Sequence, residues 1–417
     1  MRQISVERRL LLRVGLGALL GLANGAAFAD ILGNEAGSEA GGIGGDGLAA
    51  AQSQLGENLL RILAARRKDG SGNLVVSPAS LAAILGFVDL GASRPLHLAI
   101  HRALGFRRVA RLQVDDDLKA LRQSVSAIIA RGKETGPLAL ANLIAFDRSA
   151  RPRQLALFAL SGAGADVLVD NLGDAKVIDR INSWVRQKTH DLIPSILEEA
   201  PETLGLVAIN ALYFKDRWQT PFDPARTMSE KFHPVSGEPV DVAMMHSPVA
   251  KFAFRQDDRF IAAELGYANE DFRLVVATTR SAPAAAADFA PVAGWLGGQG
   301  FEARNAEIGL PKFSLSAAEE LLQPLDALGL RAARHLPDAL DGFSPEELVI
   351  SRVVQKLELK LSEEGTEGAA ASAVVTTRSL AQGPSLKMIV DKPFVFALRD
   401  RKTGLILFMG YVGIPPK

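Results

Sequence analysis

Cysteine is absent from the 417 residues, which excludes disulfides, thiolate metal sites and thiol catalysis. That absence does not fix a compartment, although it suits an exported protein that folds without bridges. Net charge is absent as well, because 47 basic and 47 acidic side chains cancel, so nothing draws the chain over long range toward nucleic acid or an anionic membrane. Enzyme motifs are missing too: the sequence contains no G-x-S-x-G, S-x-x-K, H-E-x-x-H or phosphate-cradling G-x-x-x-x-G-K. His97 and His101 have the four-residue spacing that holds a metal on one helix face. Without the H-E-x-x-H acid they read as surface or helix-end histidines, and neither metal nor cofactor is expected.

What is present is globular in composition, with 48% hydrophobic residues. Arg2, Arg8, Arg9 and Arg13 form a basic leader, followed by a mostly small and apolar stretch from Val14 to Ala27. Ala27-Phe28-Ala29 supplies an A-x-A cleavage site before Asp30. The apolar run is too short and too Gly-rich to span a bilayer, so residues 1–29 read as an export signal. Arg8-Arg9-Leu10-Leu11-Leu12-Arg13 also looks like a twin-arginine signal. The expected location is periplasmic or extracellular, with no membrane span.

Residues 30–52 carry Gly33, Gly37, Gly41, Gly42, Gly44, Gly45 and Gly47 with few large apolar side chains. This segment reads as a flexible linker, leaving 53–417 as one folded unit. A helix is expected from Ser53, with Leu55, Leu59, Leu60, Ile62 and Leu63 on its buried side. Ser77-Pro78 suits a strand feeding a helix, with Pro78 at the first helical position. A further helix is expected from Lys176 to about Lys188. The unbroken apolar run Leu206 to Phe214 fits a strand covered on both faces. Two apolar runs, Phe394 to Leu398 and Leu405 to Met409, flank Asp400 to Gly404 as a hairpin. Helices dominate the first third and strands the rest, which predicts a mixed α+β domain.

One segment stands apart. After the strand-like run Val353 to Leu361, side chains nearly vanish through Gly365, Gly368, Ala369, Ala370, Ala371, Ser372 and Ala373, then Val374-Val375-Thr376-Thr377 restores strong strand preference. A segment that is soluble as a loop yet shaped to become a strand suits a conformational trap. Several other motifs occur in order along the body. They are Asn73 to Pro78 with Ser80, Ile181-Asn182-Ser183-Trp184-Val185 with Thr189, and Asn210-Ala211-Leu212-Tyr213-Phe214-Lys215 with Trp218, Phe222 and Asp223. Leu310-Pro311-Lys312-Phe313, Glu363-Glu364-Gly365-Thr366-Glu367 and Pro393-Phe394-Val395-Phe396 complete the set. Together these resemble the serpins, suicide inhibitors of serine proteases, over about residues 53 to 417.

The resemblance implies an α+β serpin fold with about three β-sheets, eight to nine helices and an exposed reactive-centre loop. It implies that a protease cuts the loop, is held as a covalent acyl-enzyme, and is trapped when the freed strand inserts into the central sheet. By matching position, Ser77, Ser80 and Asn210 resemble the polar cluster that controls opening of that sheet. Gln355 stands where the family frequently has histidine, and its amide can both donate and accept. Glu363 and Lys312 resemble an ion pair at the point where insertion begins. The loop hinge runs through Glu363, Glu364, Gly365, Thr366, Glu367, Gly368, Ala369, Ala370, Ala371 and Ser372. Gly368 departs from the usual alanine, and glycine weakens a strand by roughly 0.5–1 kcal/mol.

In an inserted strand alternate residues face opposite sides. Thr366, Gly368, Ala370, Ser372 and Val374 are uncharged and mostly small, which assigns them inward; Glu367, Ala369, Ala371, Ala373 and Val375 face outward. The reactive bond is read as Arg378-Ser379, suited to a trypsin-like target and similar to antithrombin with one residue fewer. Strict counting from the hinge gives Ser379-Leu380 instead, suited to an elastase- or subtilisin-like enzyme. A non-inhibitory family member that serves as a binding protein is the remaining alternative. Arg102, Arg107, Arg108 and Arg111, close to Asp115-Asp116-Asp117, read as a solvated face rather than a polyanion cofactor site. The expected partner is a serine protease, and the inhibitor itself is expected to be a monomer.

Overall fold

A computed structural model describes residues 45–66, 72–106, 111–201, 205–366 and 386–416; within these, nothing is stated of side chains at 45–46, 111–115, 129 and 131–135. Helix α1 (Gly45–Arg66) opens the body, followed by β1 (Leu74–Val76), α2 (Pro78–Asp89), α3 (Arg94–Ala103) and α4 (Arg111–Thr135). Next come β2 (Leu138–Asp147), α5 (Gln154–Gly162), β3 (Asp166–Asp170) and α6 (Ala175–Lys188). Strands then dominate: β4 (Leu206–Phe214), β5 (Asp216–Arg217), β6 (Met228–Phe232), β7 (Val240–His246), β8 (Ala250–Gln256), β9 (Phe260–Gly266) and β10 (Phe272–Thr279). After β11 (Glu302–Pro311) and β12 (Phe313–Glu320), the short helices α7 (Leu322–Leu325) and α8 (Arg331–Arg334) lead into β13 (Ile350–Leu361). The chain closes with β14 (Gly365–Thr366), β15 (Leu386–Ile389), β16 (Phe394–Asp400) and β17 (Ile406–Val412). The mixed α+β expectation holds.

Helix α1 starts earlier than the sequence pattern suggested. It begins at Gly45 rather than Ser53, and Leu48, Ala51 and Gln52 are buried. Gln52 explains the extension: its amide donates to the Ile406 carbonyl at 2.9 Å and accepts from the Ile406 amide at 2.7 Å. The last residues of the Gly-rich segment therefore belong to the folded body. Tertiary burial has overridden the low helix propensity of Gly45 and Gly47. At α2 the local code is read as expected. Ser77 caps the helix and Pro78 occupies its first turn, where its missing N–H costs nothing.

The described strands form two hydrogen-bonded sheets, not the three expected. The seven-stranded central sheet is built on the order β3-β2-β4-β13, with β12 on the far side of β13 and the two-residue strands β14 and β5 at one end. The ten-stranded sheet takes in the rest because β11 pairs with β8 along its first half and with β7 along its second. One strand thus joins what would otherwise be two smaller sheets. The main core lies between the two sheets, where Leu357, Leu359 and Leu361 of β13 share one cluster with Phe394 and Phe396 of β16. The opposite face of the central sheet is covered by α6, whose Val177, Ile181 and Val185 pack on Ala141, Ile209 and Val354. All nine residues of β4 are buried, as its unbroken apolar run required.

Candidate functional site: the seam of the central sheet

Strands β4 and β13 lie side by side and parallel, paired from Ile350 with Leu206 to Glu358 with Tyr213. This pairing is a seam within the central sheet. At one end it is already split. Thr366 pairs antiparallel with Leu361 of β13 on one side and with Asp216 of β5, the continuation of β4, on the other. The antiparallel direction is the one an inserting segment would take after reversing at Ser362 to Gly365.

Directly paired residues share a face of the sheet, so Thr366 faces the core with Leu361. Its exposure is 0%, which agrees with the inward facing read from the residue pattern. The Thr366 hydroxyl lies 2.6 Å from that of Tyr267. Burial pushes the Tyr267 phenol up, well beyond the ordinary tyrosine range, so it stays a neutral hydrogen-bonding group. Trp218 stacks on Tyr267 with ring centroids 4.5 Å apart. Its indole donates to the Ser362 carbonyl at 2.9 Å, and its backbone N–H donates to the Glu364 carbonyl at 2.9 Å. Gly365 is the glycine this turn requires: a Cβ there would lie 2.1 Å from the Asp216 carbonyl oxygen.

Glu363 and Lys312 meet as the motif implied. Lys312 Nζ donates to Glu363 Oε2 at 2.9 Å, and the Thr227 hydroxyl donates to the other carboxylate oxygen at 2.9 Å. Burial pushes this carboxyl up, but the Lys312 bond, the local backbone and Thr227 outweigh it, and its pKa lies below the ordinary glutamate value. Glu364 is half-buried beside it. The remaining hinge residues (Glu367, Gly368, Ala369, Ala370, Ala371 and Ser372) and the reactive-bond candidates Arg378, Ser379 and Leu380 lie outside the described residues.

Beneath the middle of the seam, Gln355 replaces histidine without loss of connection. Its Oε1 accepts from the Ser77 backbone N–H at 2.8 Å and its Nε2 donates to the Ser77 carbonyl at 3.1 Å. The Ser77 hydroxyl donates to that of Ser80 at 2.7 Å and accepts from the Ser80 N–H at 3.2 Å. Asn210 lies next to Gln355 in register but bonds away from it, donating to Asn142 Oδ1 on β2 at 2.8 Å. Asn142 escaped the sequence reading, although it was signalled as the lone polar residue in the run Leu138 to Phe146. Asn142 Nδ2 and Asn210 Oδ1 are buried without a hydrogen-bond partner among the described residues. Such groups cost about 1–3 kcal/mol each, so the closed seam carries unsatisfied polarity near its centre.

The histidines of α3 correct an expectation. His97 and His101 are buried, not exposed. His97 Nδ1 lies 2.5 Å from Asp89 Oδ1, and His101 Nε2 lies 3.1 Å from Asp117 Oδ2. They tie α3 to α2 and α4, and no group of His, Asp or Glu among the described residues is arranged to hold a metal. Of the basic run, Arg102 is exposed, while Arg107 and Arg108 lie outside the described residues, as does the side chain of Arg111. Among the described residues no helix is long and apolar enough to cross a membrane.

Comparison with known proteins fits this geometry. The family model described as Serpin (serine protease inhibitor) matches residues 50–415. An uncharacterized serpin-like protein of Thermococcus kodakarensis is 30% identical, covering 82% of this chain and 80% of its own length. Serine protease inhibitor 42Dd of Drosophila melanogaster is also 30% identical, covering 82% of this chain and 91% of its own. Among solved structures, native protease nexin-1 with heparin superposes with a TM-score of 0.75 at 24% identity, covering 89% of this chain and 100% of that one. Human thyroxine-binding globulin complexed with its hormone gives 0.76 at 22% identity, covering 89% and 99%. The fold and the seam define an α+β protein whose central sheet has a parallel β4–β13 seam split at one end by Thr366. The chain belongs to the serpin family.

Proposed function

We propose that this serpin is a suicide-substrate inhibitor of serine proteases, with a trypsin-like enzyme as its target. The supporting observation is the wedge at the seam: Thr366, first residue of the segment that must insert, is already buried between β13 and β5 at the end of a closed β4–β13 ladder. Insertion then extends a geometry already begun. The protease attacks the carbonyl of the reactive bond, is held as an acyl-enzyme, and is carried along as the freed segment enters. Arg378-Ser379 is the bond offered, since an arginine suits a carboxylate-floored pocket. Residues 1–29, read as an export signal, support an exported location for the mature protein.

About twelve residues, Thr366 to Thr377, would reach ~40 Å along the seam at ~3.3 Å per residue. Each new ladder hydrogen bond contributes about 1 kcal/mol net, while ordering costs about 1–2 kcal/mol per residue. Ladder bonds alone do not drive the step, so relief of a metastable starting fold must.

The test mixes mature protein with trypsin and, separately, an elastase, followed by denaturing electrophoresis and mass spectrometry of the cut. A detergent-stable complex with trypsin and cleavage after Arg378 is expected. A cut after Ser379 moves the target to a small-pocket protease. Cleavage with no complex contradicts inhibition and assigns the fold to a binding role.

A further inference from the structure

Helix α1 ends at Arg66, and its last turn shares a cavity with the break between α7 and α8. The cavity measures about 700 Å³, within the range of about 300–1,000 Å³ usual for small-ligand sites. Ile62 and Ala65 of α1 and Ala327 supply its apolar lining. The polar lining is mostly cationic: Arg66, Arg331 and Arg334, with His335, meet the single carboxylate of Asp326.

Local structure brings these groups together. Arg331 and Arg334 bound α8, and His335 caps it. Positions 331, 334 and 335 are spaced i, i+3 and i+4, so one helical face carries all three. Before them the backbone makes a wide π-type turn over Asp326–Leu330, with Gly329 at φ +102°. Side chains beyond glycine rarely take that conformation, so Gly329 is what lets the chain break and re-enter helix as α8. Turns of this type inside helices recur at functional sites.

Asp326 and Arg334 clamp the two sides of the break. Arg334 is buried, and its Nε and Nη2 donate to Asp326 Oδ1 and Oδ2, both at 2.6 Å. This is the planar fork that a guanidinium makes with a carboxylate. The pair cancels its own charge and leaves Arg334 Nη1 outside the fork.

The other two arginines are not balanced. Arg66 donates to Gln323 Oε1, a neutral acceptor, which leaves Gln323 Nε2 as a further donor on the same lining. A cation in the last turn of α1 also suits the helix dipole, but Arg331 opens α8, where the dipole favours no cation. Arg331 is exposed and has no hydrogen-bond or ion-pair partner among the described residues. Two guanidinium charges thus line one cavity with no carboxylate among the described residues to offset them.

We propose that this cavity binds a phosphate dianion, either free or as the monoester of a small molecule. Two uncompensated guanidiniums match its two charges, and arginine engages such oxygens through parallel N–H donors. Arg334 Nη1, Gln323 Nε2 and the His335 ring add donors around it. The apolar lining and the volume beyond a phosphate leave room for a carbon skeleton. A bound anion would tie the end of α1 to the segment that follows β12, and so stabilise the folded form by mass action. Neither the loop nor a protease takes part, so the site stands or falls independently of the inhibitor reading.

The test is calorimetric titration of the whole protein with glucose 6-phosphate at fixed, low ionic strength, with glucose as the blank. Saturable binding at one site per chain is expected, and none with glucose. Arg331→Gln changes an exposed side chain and should weaken binding about tenfold or more, the loss of one charge-assisted hydrogen bond. Arg66→Gln should do the same, and serves should the first variant fold poorly. Arg186→Gln, which removes an exposed charge from α6 instead, should leave the affinity unchanged. Inorganic phosphate separates the two sources: equal affinity assigns the free anion, and weaker binding assigns a monoester whose skeleton is also held. No saturable binding of either probe overturns the proposal, as does wild-type affinity in Arg331→Gln or an equal loss in Arg186→Gln.

Discussion

The hydroxyls of Tyr267 and Thr366 stand 2.6 Å apart with both side chains at 0% exposure. This contact fastens Thr366 to the β9–β10 connection and makes that end of the hinge part of the core. Under the proposed function, insertion would compete with this buried hydrogen bond.

Tyr267→Phe keeps the stacking on Trp218 and removes only the hydroxyl. The uncut protein should lose about 1 kcal/mol of stability, read as a lower urea midpoint with an unchanged slope. No change in midpoint would mean the contact contributes nothing to hinge retention.

Thr366→Arg places a guanidinium where no solvent reaches. An unpaired buried charge is far costlier than a lost hydroxyl, so the inward position should reject it and insertion should stall. Complex with trypsin should vanish while loop cleavage continues, a switch from inhibitor to substrate visible on one denaturing gel. Undiminished complex formation would contradict the facing assigned to Thr366.

Gln355→Ala strips the partner from the Ser77 N–H and one of two donors from the Ser77 carbonyl, which keeps the Leu81 N–H at 3.0 Å. A buried unsatisfied group costs about 1–3 kcal/mol, and the loss falls on the closed seam. The uncut form should melt lower, and amides of β4 and β13 should exchange faster. Equal exchange in the two proteins would remove Gln355 from control of sheet opening.

Glu363 carries the pH prediction. Its folded-state pKa is depressed below the usual glutamate value, so its contribution is present above the unfolded-state pKa and is lost as pH falls through the folded one. The acid limb of the stability–pH curve should therefore steepen through the carboxylate range in wild type and be shallower in Glu363→Gln. Superimposable acid limbs would show that the Lys312 pair does not stabilise the sheet end.

Much of this was legible in the chain. Leu206 to Phe214 declared a doubly covered strand and Ser77-Pro78 declared a capped helix, because each is a local pattern. The failures were non-local. Asp89 and Asp117 turn His97 and His101 inward, yet nothing in the spacing from 89 to 117 predicts that meeting. Gln52 bonds Ile406 across nearly the whole chain, so α1 starts where composition alone suggested a linker. Asn142 draws its meaning from Asn210 on the neighbouring strand, and strand register cannot be read from either segment alone.

The central claim is that the intact protein stores free energy which strand insertion releases. Melting curves of the intact protein and of the same protein nicked once in the loop test it directly. The nicked form should melt far above the intact one, because the freed segment completes the central sheet. Equal melting temperatures would contradict the account.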